Sequence, residues 1–265
     1  MLLARWRVEP PTLLLSACTP VMRDSAASTG DAAHATSHDA AQSESHAADT
    51  HAHWSYDGDT GPAHWGDLSP EYAACATGKE QSPIDVDTVK EENLVNLAFD
   101  YHPSSVNIIN NGHTVEAVYD PGSSFTVDGI QYDLKQFHFH APSEHTVDGQ
   151  FAAMEMHLVH ENAEGKKAVV GILINQGTDA TLAVPEPGAT GQINAADFLP
   201  SDQTTFRYEG SLTTPPCTEG VKWHVMTQAM QLSSAQIKAL ADIFPVTNRP
   251  IQPINTRTLA LDVTP

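Results

Sequence analysis

The chain has 265 residues, and its 33 acidic side chains against 13 Lys and Arg give a formal net charge of −20. This length suits one large domain with a substantial core. The negative charge argues against binding to nucleic acid or to an anionic membrane surface. No stretch of the sequence reaches the roughly 18 apolar residues of a membrane span.

The first 18 residues resemble an export signal that is incomplete. Arg5 and Arg7 supply positive charge, but only residues 12–17 form an apolar core, which is shorter than usual. Leu15–Cys18 fits a bacterial lipobox, so Cys18 is a candidate for lipidation. Either the start codon is misassigned or the lipobox is coincidental. We expect export, with the protein either periplasmic or lipid-anchored to the cell envelope.

Residues 19–52 are rich in Ala, Ser, Thr, Asp and His, without apolar periodicity. This composition predicts a disordered linker, followed by a catalytic domain over residues 53–265. The linker histidines are His34, His38, His46 and His51, with His53 just beyond. They can be interpreted as zinc scavengers, although a merely polar linker is the simpler interpretation.

From Val106 onward the pattern predicts strands joined by tight turns. Glycine-containing turns at 111–112, 128–129 and 164–165 each separate two apolar segments, which is typical of β-hairpins. No internal repeat is visible.

One helix is predicted late in the chain. Ser233 and Gln236 have the spacing of a capping box. Ile237, Leu240 and Phe244 then recur at helical spacing and predict one apolar face.

Two short segments carry the residues of a metal site. His138 and His140 share one face of a predicted strand, and Glu155 and His157 share one face of another, because side chains two apart project together. If the strands are neighbours, three imidazoles converge with a carboxylate behind one of them. Three protein ligands leave an open position, which is typical of catalytic zinc. The alternative is that these histidines are simply buried and hydrogen-bonded.

Other segments share their order with one enzyme family. They are Tyr56, Gly61-Pro62-Ala63-His64-Trp65, Gln81-Ser82-Pro83-Ile84, Asn110-Asn111-Gly112-His113, Gly210-Ser211-Leu212-Thr213-Thr214-Pro215-Pro216-Cys217 and Asn248-Arg249-Pro250-Ile251-Gln252-Pro253. Together with the two histidine segments, they resemble an α-class carbonic anhydrase of the exported bacterial type from Trp54 to about Leu261. The resemblance implies a mainly β fold, with a large, twisted, mostly antiparallel central sheet and short peripheral helices.

The resemblance also implies an activity, the zinc-dependent reversible hydration of carbon dioxide to bicarbonate and a proton. In that family zinc-bound hydroxide attacks the substrate and a histidine carries the proton away. Sulfonamides and anions are expected inhibitors, and a homodimer is a further expectation. Two alternatives are a non-catalytic binding module on the same fold and a zinc hydrolase that acts on esters.

Residue roles follow from the same resemblance. The zinc ligands would be His138, His140 and His157. The catalytic residues would be Thr213 and Glu144, which orient the hydroxide, and His113, the proton shuttle. Gln136 and Glu155 would be hydrogen-bond partners of the ligands. The substrate pocket would be Val159, Val169, Leu212, Thr214, Val221 and Trp223, and the cavity lining Tyr56, Asn111 and Glu116.

Several positions carry separate expectations. Glu116 departs from the amide usual in the family. Cys75 and Cys217 resemble a disulfide pair, which would imply an oxidising compartment. His64 resembles a cavity residue, although packing beside Trp65 is the simpler interpretation. His145 is expected in a structural network, and His160 is expected to be buried and satisfied.

Overall fold

A computed structural model of the chain describes residues 52–178 and 191–264. The predicted signal segment, the candidate lipidation site Cys18 and all but the last residue of the linker lie outside the described residues. In the described part, no helix is long and apolar enough to cross a membrane.

The described elements are mostly strands. The strands are β1 (Asp85–Val86), β2 (Lys90–Glu92), β3 (Ala98–Asp100), β4 (Ser104–Ser105), β5 (Ile108–Asn110), β6 (Val115–Val118), β7 (Ser124–Val127), β8 (Ile130–His140), β9 (Thr146–Val147), β10 (Gln150–Phe151), β11 (Met154–Glu161), β12 (Lys167–Gln176), β13 (Gln192–Ile193), β14 (Thr205–Ser211), β15 (Glu219–Met226), β16 (Met230–Leu232) and β17 (Ala260–Asp262). The α-helices are α1 (Trp65–Leu68), α2 (Ala74–Thr77) and α3 (Ser234–Ala241). Short 3₁₀ turns cover Gly58–Thr60, Pro70–Tyr72 and Ala195–Phe198.

A single sheet of 12 strands dominates the fold. Its main order is β2-β17-β14-β15-β12-β11-β8-β6-β5, with β16 beside β12 and with β7 between β8 and β3. The pairs are antiparallel, apart from β12 with β15, β12 with β16, and β17 with β2. The predicted large, mostly antiparallel sheet with short helices is therefore confirmed.

The local predictions agree with the structure, with two adjustments. All three hairpins form. The helix begins with the predicted capping box but ends at Ala241, and Phe244 packs against the core from beyond its end. The sequence predicts one strand over residues 151–160, but this strand begins at Met154, and Phe151 is exposed in the separate short strand β10.

Side chains alternate between two cores along the central strands, as a period of two requires. A larger core contains Phe137, Phe139, Met156, Leu158 and 19 other buried residues. A smaller core consists of Ile84, Val86, Val169, Tyr208, Val221, Trp223, Val225 and Leu259. Because Phe137 and Phe139 fill the larger core, the alternating residues His138 and His140 project to the side of the smaller core.

Candidate metal centre

Three histidines converge where β8 and β11 pair. His157 lies opposite His138, and Glu155 lies opposite His140, in the antiparallel register. The ring centroids are 4.9 Å apart for His138 and His140, 5.3 Å for His138 and His157, and 4.5 Å for His140 and His157. One nitrogen from each ring lies within 4.8 Å of the other two. The three rings are thus placed to share one ion.

Each histidine uses its other ring nitrogen in a hydrogen bond to an acceptor. These bonds join His138 Nδ1 to Gln136 Oε1 (2.8 Å), His140 Nδ1 to the Thr247 carbonyl (2.5 Å) and His157 Nε2 to Glu155 Oε1 (3.0 Å). Because a carbonyl, an amide oxygen or a carboxylate accepts, these nitrogens carry the hydrogen and the remaining ones keep their lone pairs. His140 Nε2 has no hydrogen-bond partner within the described residues. The donor set fits one tetrahedral Zn²⁺ with its fourth position open.

The imidazoles are held in the form that binds metal. Burial lowers the pKa of His138 well below its usual value, and the neighbouring His140 and His157 lower it further. Burial also lowers the pKa of His140 to about 4, although its hydrogen bond to Thr247 opposes this. A neutral imidazole has a lone pair to give, so all three rings are ready as ligands at neutral pH.

Glu155 joins the histidines to a second buried group. Its carboxylate accepts the backbone N–H groups of Glu144 and His145 (2.9 and 2.8 Å), and its Oε1 lies 2.7 Å from His145 Nδ1. His145 Nε2 in turn lies 2.6 Å from the Tyr208 hydroxyl. Burial raises the pKa of Glu155, yet His145 and His157 together hold it well below its usual value. His145 lies in the structural network that the sequence predicted.

Glu144 faces the space between the ring nitrogens. Its Oε2 lies 3.5 Å from His140 Nε2 and 3.9 Å from His157 Nδ1. The Arg249 backbone N–H donates to Oε1 at 2.9 Å. Burial raises the pKa of Glu144 to about 7, against the lowering effects of His157, the Arg249 N–H and the neighbouring Thr213 side chain. The structure therefore joins the predicted pair, Thr213 and Glu144, beside the histidines.

An apolar wall lies against the same rings. Val169, Val221 and Trp223 are each only 2% exposed in the smaller core, and the half-buried Val159 and Leu212 pack against it. The Trp223 ring centroid is 4.9 Å from that of His157. Five predicted pocket residues thus form one continuous surface. The sixth, Thr214, is half-buried, and its carbonyl accepts the Cys217 N–H at 2.8 Å.

The turn after Thr213 is fixed by a disulfide. Cys75 at the start of α2 is bonded to Cys217, with the two Cα atoms 5.0 Å apart and a sequence separation of 142. The predicted pairing is confirmed, and it joins the N-terminal helical region to the segment that carries Thr213.

The predicted proton-shuttle residue lies in the wall of a nearby cavity. His113 is half-buried, and its ring stacks on Trp54 with a centroid distance of 3.6 Å and an interplanar angle of 8°. Asn111 donates to Glu116 Oε2 at 3.2 Å, and Glu116 lies opposite His138 in the sheet. The pKa of Glu116 is raised, because the effect of burial exceeds the lowering effect of its hydrogen bond to Asn111.

Tyr56 is electrostatically coupled to the site. Burial raises the pKa of its hydroxyl well above 10, and the negative charge of Glu144 raises it further. The simpler interpretation of His64, that it packs beside Trp65, is wrong. Trp65 is fully buried, whereas His64 is exposed. The reason is that His64 is the first residue before the short helix α1 and projects outward there.

Two contributors were not predicted. The Thr247 carbonyl orients His140, and the Arg249 backbone N–H holds Glu144. Both act through the backbone, so no side-chain pattern could have indicated them. His160 is fully buried as predicted, but only one of its ring nitrogens is satisfied: Nε2 lies 2.8 Å from the Tyr101 hydroxyl, whereas Nδ1 has no hydrogen-bond partner among the described residues.

Known proteins resemble this chain over most of its length. The family model described as eukaryotic-type carbonic anhydrase matches residues 60–262. A carbonic anhydrase of Klebsiella pneumoniae is 42% identical over 222 residues, covering 78% of this chain and 90% of that protein.

Two solved structures extend the comparison. One is the α-carbonic anhydrase of Thermovibrio ammonificans in complex with the inhibitor sulfanilamide, at 40% identity and TM-score 0.75, covering 79% of this chain and 99% of the other. The second is a hyperthermostable carbonic anhydrase from a hydrothermal vent chimney, at 46% identity and TM-score 0.74, covering 79% and 100%. By family model, sequence identity and fold, this chain belongs to the α-carbonic anhydrase family.

Proposed function

We propose that this protein catalyses the reversible hydration of carbon dioxide with a Zn²⁺ ion held by His138, His140 and His157. One observation carries the proposal. Three neutral, closely spaced imidazoles each keep one lone pair toward a common point, while acceptors fix the opposite nitrogen of every ring. Family membership supports carbon dioxide as the substrate.

When bound, Zn²⁺ supplies a Lewis acid that lowers the pKa of water to about 7, an effect for which carbonic anhydrases are themselves the standard example. Neutral imidazoles suit this chemistry because they leave the positive charge of the ion unquenched, whereas thiolates would reduce it. The chain's own groups then have to orient the reactants, exclude water and remove a proton.

Thr213 and Glu144 are the residues proposed to orient the attacking oxygen. The Thr213 side chain neighbours the Glu144 carboxylate and lowers its pKa, and we propose that its hydroxyl donates its hydrogen to that acceptor. The hydroxyl oxygen can then only accept, which directs the hydrogen of the attacking oxygen toward Thr213 and a lone pair toward the substrate. The Arg249 N–H and burial hold Glu144 in place for this task.

We assign substrate binding and proton transfer to different parts of the site. Carbon dioxide has no dipole, so the apolar surface of Val159, Val221 and Trp223 suits it. His113 is the group proposed to carry the proton to solvent, since an imidazole titrates near neutral pH. Its half-buried position, with a pKa lowered first by burial, lets it release the proton readily.

The decisive experiment is stopped-flow hydration of carbon dioxide by the full chain, with zinc content assayed in the same sample. We expect rapid turnover at one zinc per chain and the loss of both in His138→Ala. Bound zinc without turnover would contradict the proposal and would favour the binding-module alternative. Turnover that persists in metal-free protein would contradict the zinc assignment.

Inhibition and location complete the proposal. The complex of the Thermovibrio ammonificans relative with sulfanilamide supports sulfonamide binding at this site. The disulfide supports an oxidising compartment, in line with export to the periplasm or to the cell envelope. Gel filtration of the full chain tests the expected homodimer.

A further inference from the structure

A second cavity lies against strands β14 and β15, apart from the candidate metal centre. It has a volume of about 250 Å³, and its wall includes Asp128, Arg207, Glu209, Lys222 and His224. In the register of β14 with β15, Arg207 lies opposite His224 and Glu209 lies opposite Lys222. Directly opposite residues share a face of the sheet, with Cβ atoms about 4.5–5.5 Å apart. These four side chains therefore form one cluster on the cavity wall.

The buried His224 gives this cavity a hydrogen-bond donor and an acceptor. It is only 4% exposed, and neither of its ring nitrogens has a hydrogen-bond partner among the described residues. Burial, followed by the charges of Arg207 and Lys222, lowers its pKa to about 3, so the ring is neutral. A neutral imidazole has one N–H and one lone pair. A buried polar group without a partner costs free energy, so a ligand that both accepts and donates would satisfy the ring.

The floor of the cavity is positively charged. The Arg207 side chain is 12% exposed, and three of its five N–H groups donate, to Thr205 Oγ1, to the Val95 carbonyl and to Asp262. Asp262 is buried and is not part of the cavity wall. Two N–H groups of the guanidinium are thus left over beside the His224 ring, next to which Arg207 lies in the sheet.

The mouth of the cavity carries both signs of charge. Lys222 Nζ lies 3.4 Å from Glu209 Oε1, and their side chains are 41% and 53% exposed. Asp128 is exposed at the turn between β7 and β8. The two carboxylates repel anions of higher charge more strongly than a monovalent one. The cavity is therefore suited to a small monovalent anion that also has a hydrogen to donate.

We propose that this cavity binds bicarbonate between Arg207 and His224, at a product site separate from the candidate metal centre. The oxygens of bicarbonate accept from the guanidinium and from the His224 N–H, and its hydroxyl donates to the other His224 nitrogen. The choice of bicarbonate rests on the proposed function, because bicarbonate is the product of carbon dioxide hydration. Inorganic phosphate has the same donors and acceptors, but it is mainly divalent above neutral pH.

The test is an NMR titration of the full, zinc-loaded chain with isotope-labelled histidine rings. Sodium bicarbonate is added in mildly alkaline buffer at constant ionic strength, and the His224 signals are those missing from His224→Leu. We expect a saturable shift of both His224 ring nitrogens, and the same shift in His138→Ala, in which the metal centre is disabled. Nitrate is also planar and monovalent but has no hydroxyl, so it should bind roughly 10-fold more weakly.

Variants locate the binding energy through the bicarbonate-dependent rise in melting temperature, because a ligand of the native state stabilises it by mass action. His224→Leu should weaken binding roughly 10- to 100-fold, whereas His224→Gln keeps one donor and one acceptor and should retain most of the rise. Lys222→Gln should weaken binding only roughly 2- to 5-fold, because its charge is partly exposed. The matched control Lys166→Gln removes an exposed lysine from the turn between β11 and β12 and should equal the wild type.

Three results would overturn the proposed site. They are the absence of a saturable His224 shift, an unchanged rise in melting temperature in His224→Leu, and equal losses in Lys222→Gln and Lys166→Gln. Tighter binding of phosphate or nitrate than of bicarbonate would overturn the choice of ligand. A wild-type protein that shows the His224 shift without hydrating carbon dioxide would instead overturn the proposed function, so the two failures are distinguishable.

Discussion

Histidines lie on both sides of the central sheet, and among the described residues only those on one side bring three ring nitrogens to a common point. On the side of the smaller core, His138, His140 and His157 each give one nitrogen to a fixed acceptor. On the side of the larger core, His160 and His224 both lie against the Phe125 ring, with centroid distances of 4.7 and 5.5 Å. Neither nitrogen of His224 has a hydrogen-bond partner among the described residues.

This contrast shows that burial alone does not make a histidine a ligand. Burial lowers the pKa of His160 and of His224 to about 3, so their rings are neutral like those of the site. They nevertheless belong to no group of three metal-binding side chains in the described part of the chain. What distinguishes the candidate metal centre is the set of acceptors that orient three lone pairs toward one point.

The largest expected effect comes from removing one histidine of the candidate metal centre, and it distinguishes the histidines on the two sides of the sheet. His140→Ala removes a ring nitrogen that has no hydrogen-bond partner among the described residues, so we expect loss of bound zinc and of carbon dioxide hydration. Affinity should weaken by more than about 10²-fold, because losing only the outer partner of a ligand costs roughly 10–100-fold. Zinc titration against a chelator measures this effect.

His224→Leu is the matched control on the other side of the sheet. It removes a buried imidazole without breaking a hydrogen bond among the described residues, so zinc affinity should equal that of the wild type. Equal zinc loss in both variants would show that the two groups of histidines are not functionally distinct.

The next effect concerns catalysis without metal loss. Thr213→Ala removes the hydroxyl that neighbours Glu144 while leaving the three ligands in place. We expect kcat/KM for hydration to fall by about 10²–10³-fold, the usual range for the loss of one positioned polar group. Zinc content should stay at one per chain. Thr213→Ser keeps the hydroxyl and should retain most activity, and an inactive Thr213→Ser variant would argue against the hydroxyl as the important group.

The site face was largely predictable from sequence, and the reasons are local. His138 and His140 share a face because of the strand period, and Phe137 and Phe139 show which face is turned to the larger core. The segment that contains Glu155 and His157 follows the same rule. The family resemblance, and not periodicity, supplied Thr213, Glu144 and the disulfide.

The features that the sequence did not predict depend on long-range contacts, and no local pattern of side chains indicates those contacts. Thr247 and Arg249 act through backbone atoms, and they reach the site from more than 100 residues away in sequence. The parallel pairing of β12 with β15 and β16 depends on how the chain returns to the sheet. The far-side position of His224 depends on strand register, which its neighbours in sequence do not reveal.

A smaller effect tests the acceptors that orient the rings. Gln136→Leu removes the oxygen that holds His138 Nδ1 at 2.8 Å but leaves all three ligands. Zinc affinity should weaken by roughly 10–100-fold, because the ring is free to change tautomer and orientation. Chelator competition measures the change. Gln136→Glu keeps an acceptor at this position and should bind zinc nearly as well as the wild type, and unchanged affinity in Gln136→Leu would contradict the role of the acceptor.

The smallest expected effect is the pH dependence of the free energy of unfolding that His224 confers on the side of the larger core. The pKa of His224 is about 3 in the folded protein, lowered by burial and then by Arg207 and Lys222, against about 6.5 for an unfolded histidine. Between these values the unfolded chain binds a proton that the folded chain does not. The free energy of unfolding therefore falls as the pH falls from 6.5 toward 3, by about 1.4 kcal/mol per pH unit for this residue.

His224→Leu should remove this contribution and fill the apolar space beside Phe125. Urea unfolding between pH 7 and pH 5 should then show a pH slope shallower than the wild-type slope by about 1 kcal/mol per unit on average, with little change at pH 7. If His224→Leu keeps the wild-type slope, His224 is protonated in the folded protein. The far side would then tolerate a buried charge, and neutrality would no longer be common to the two groups of histidines.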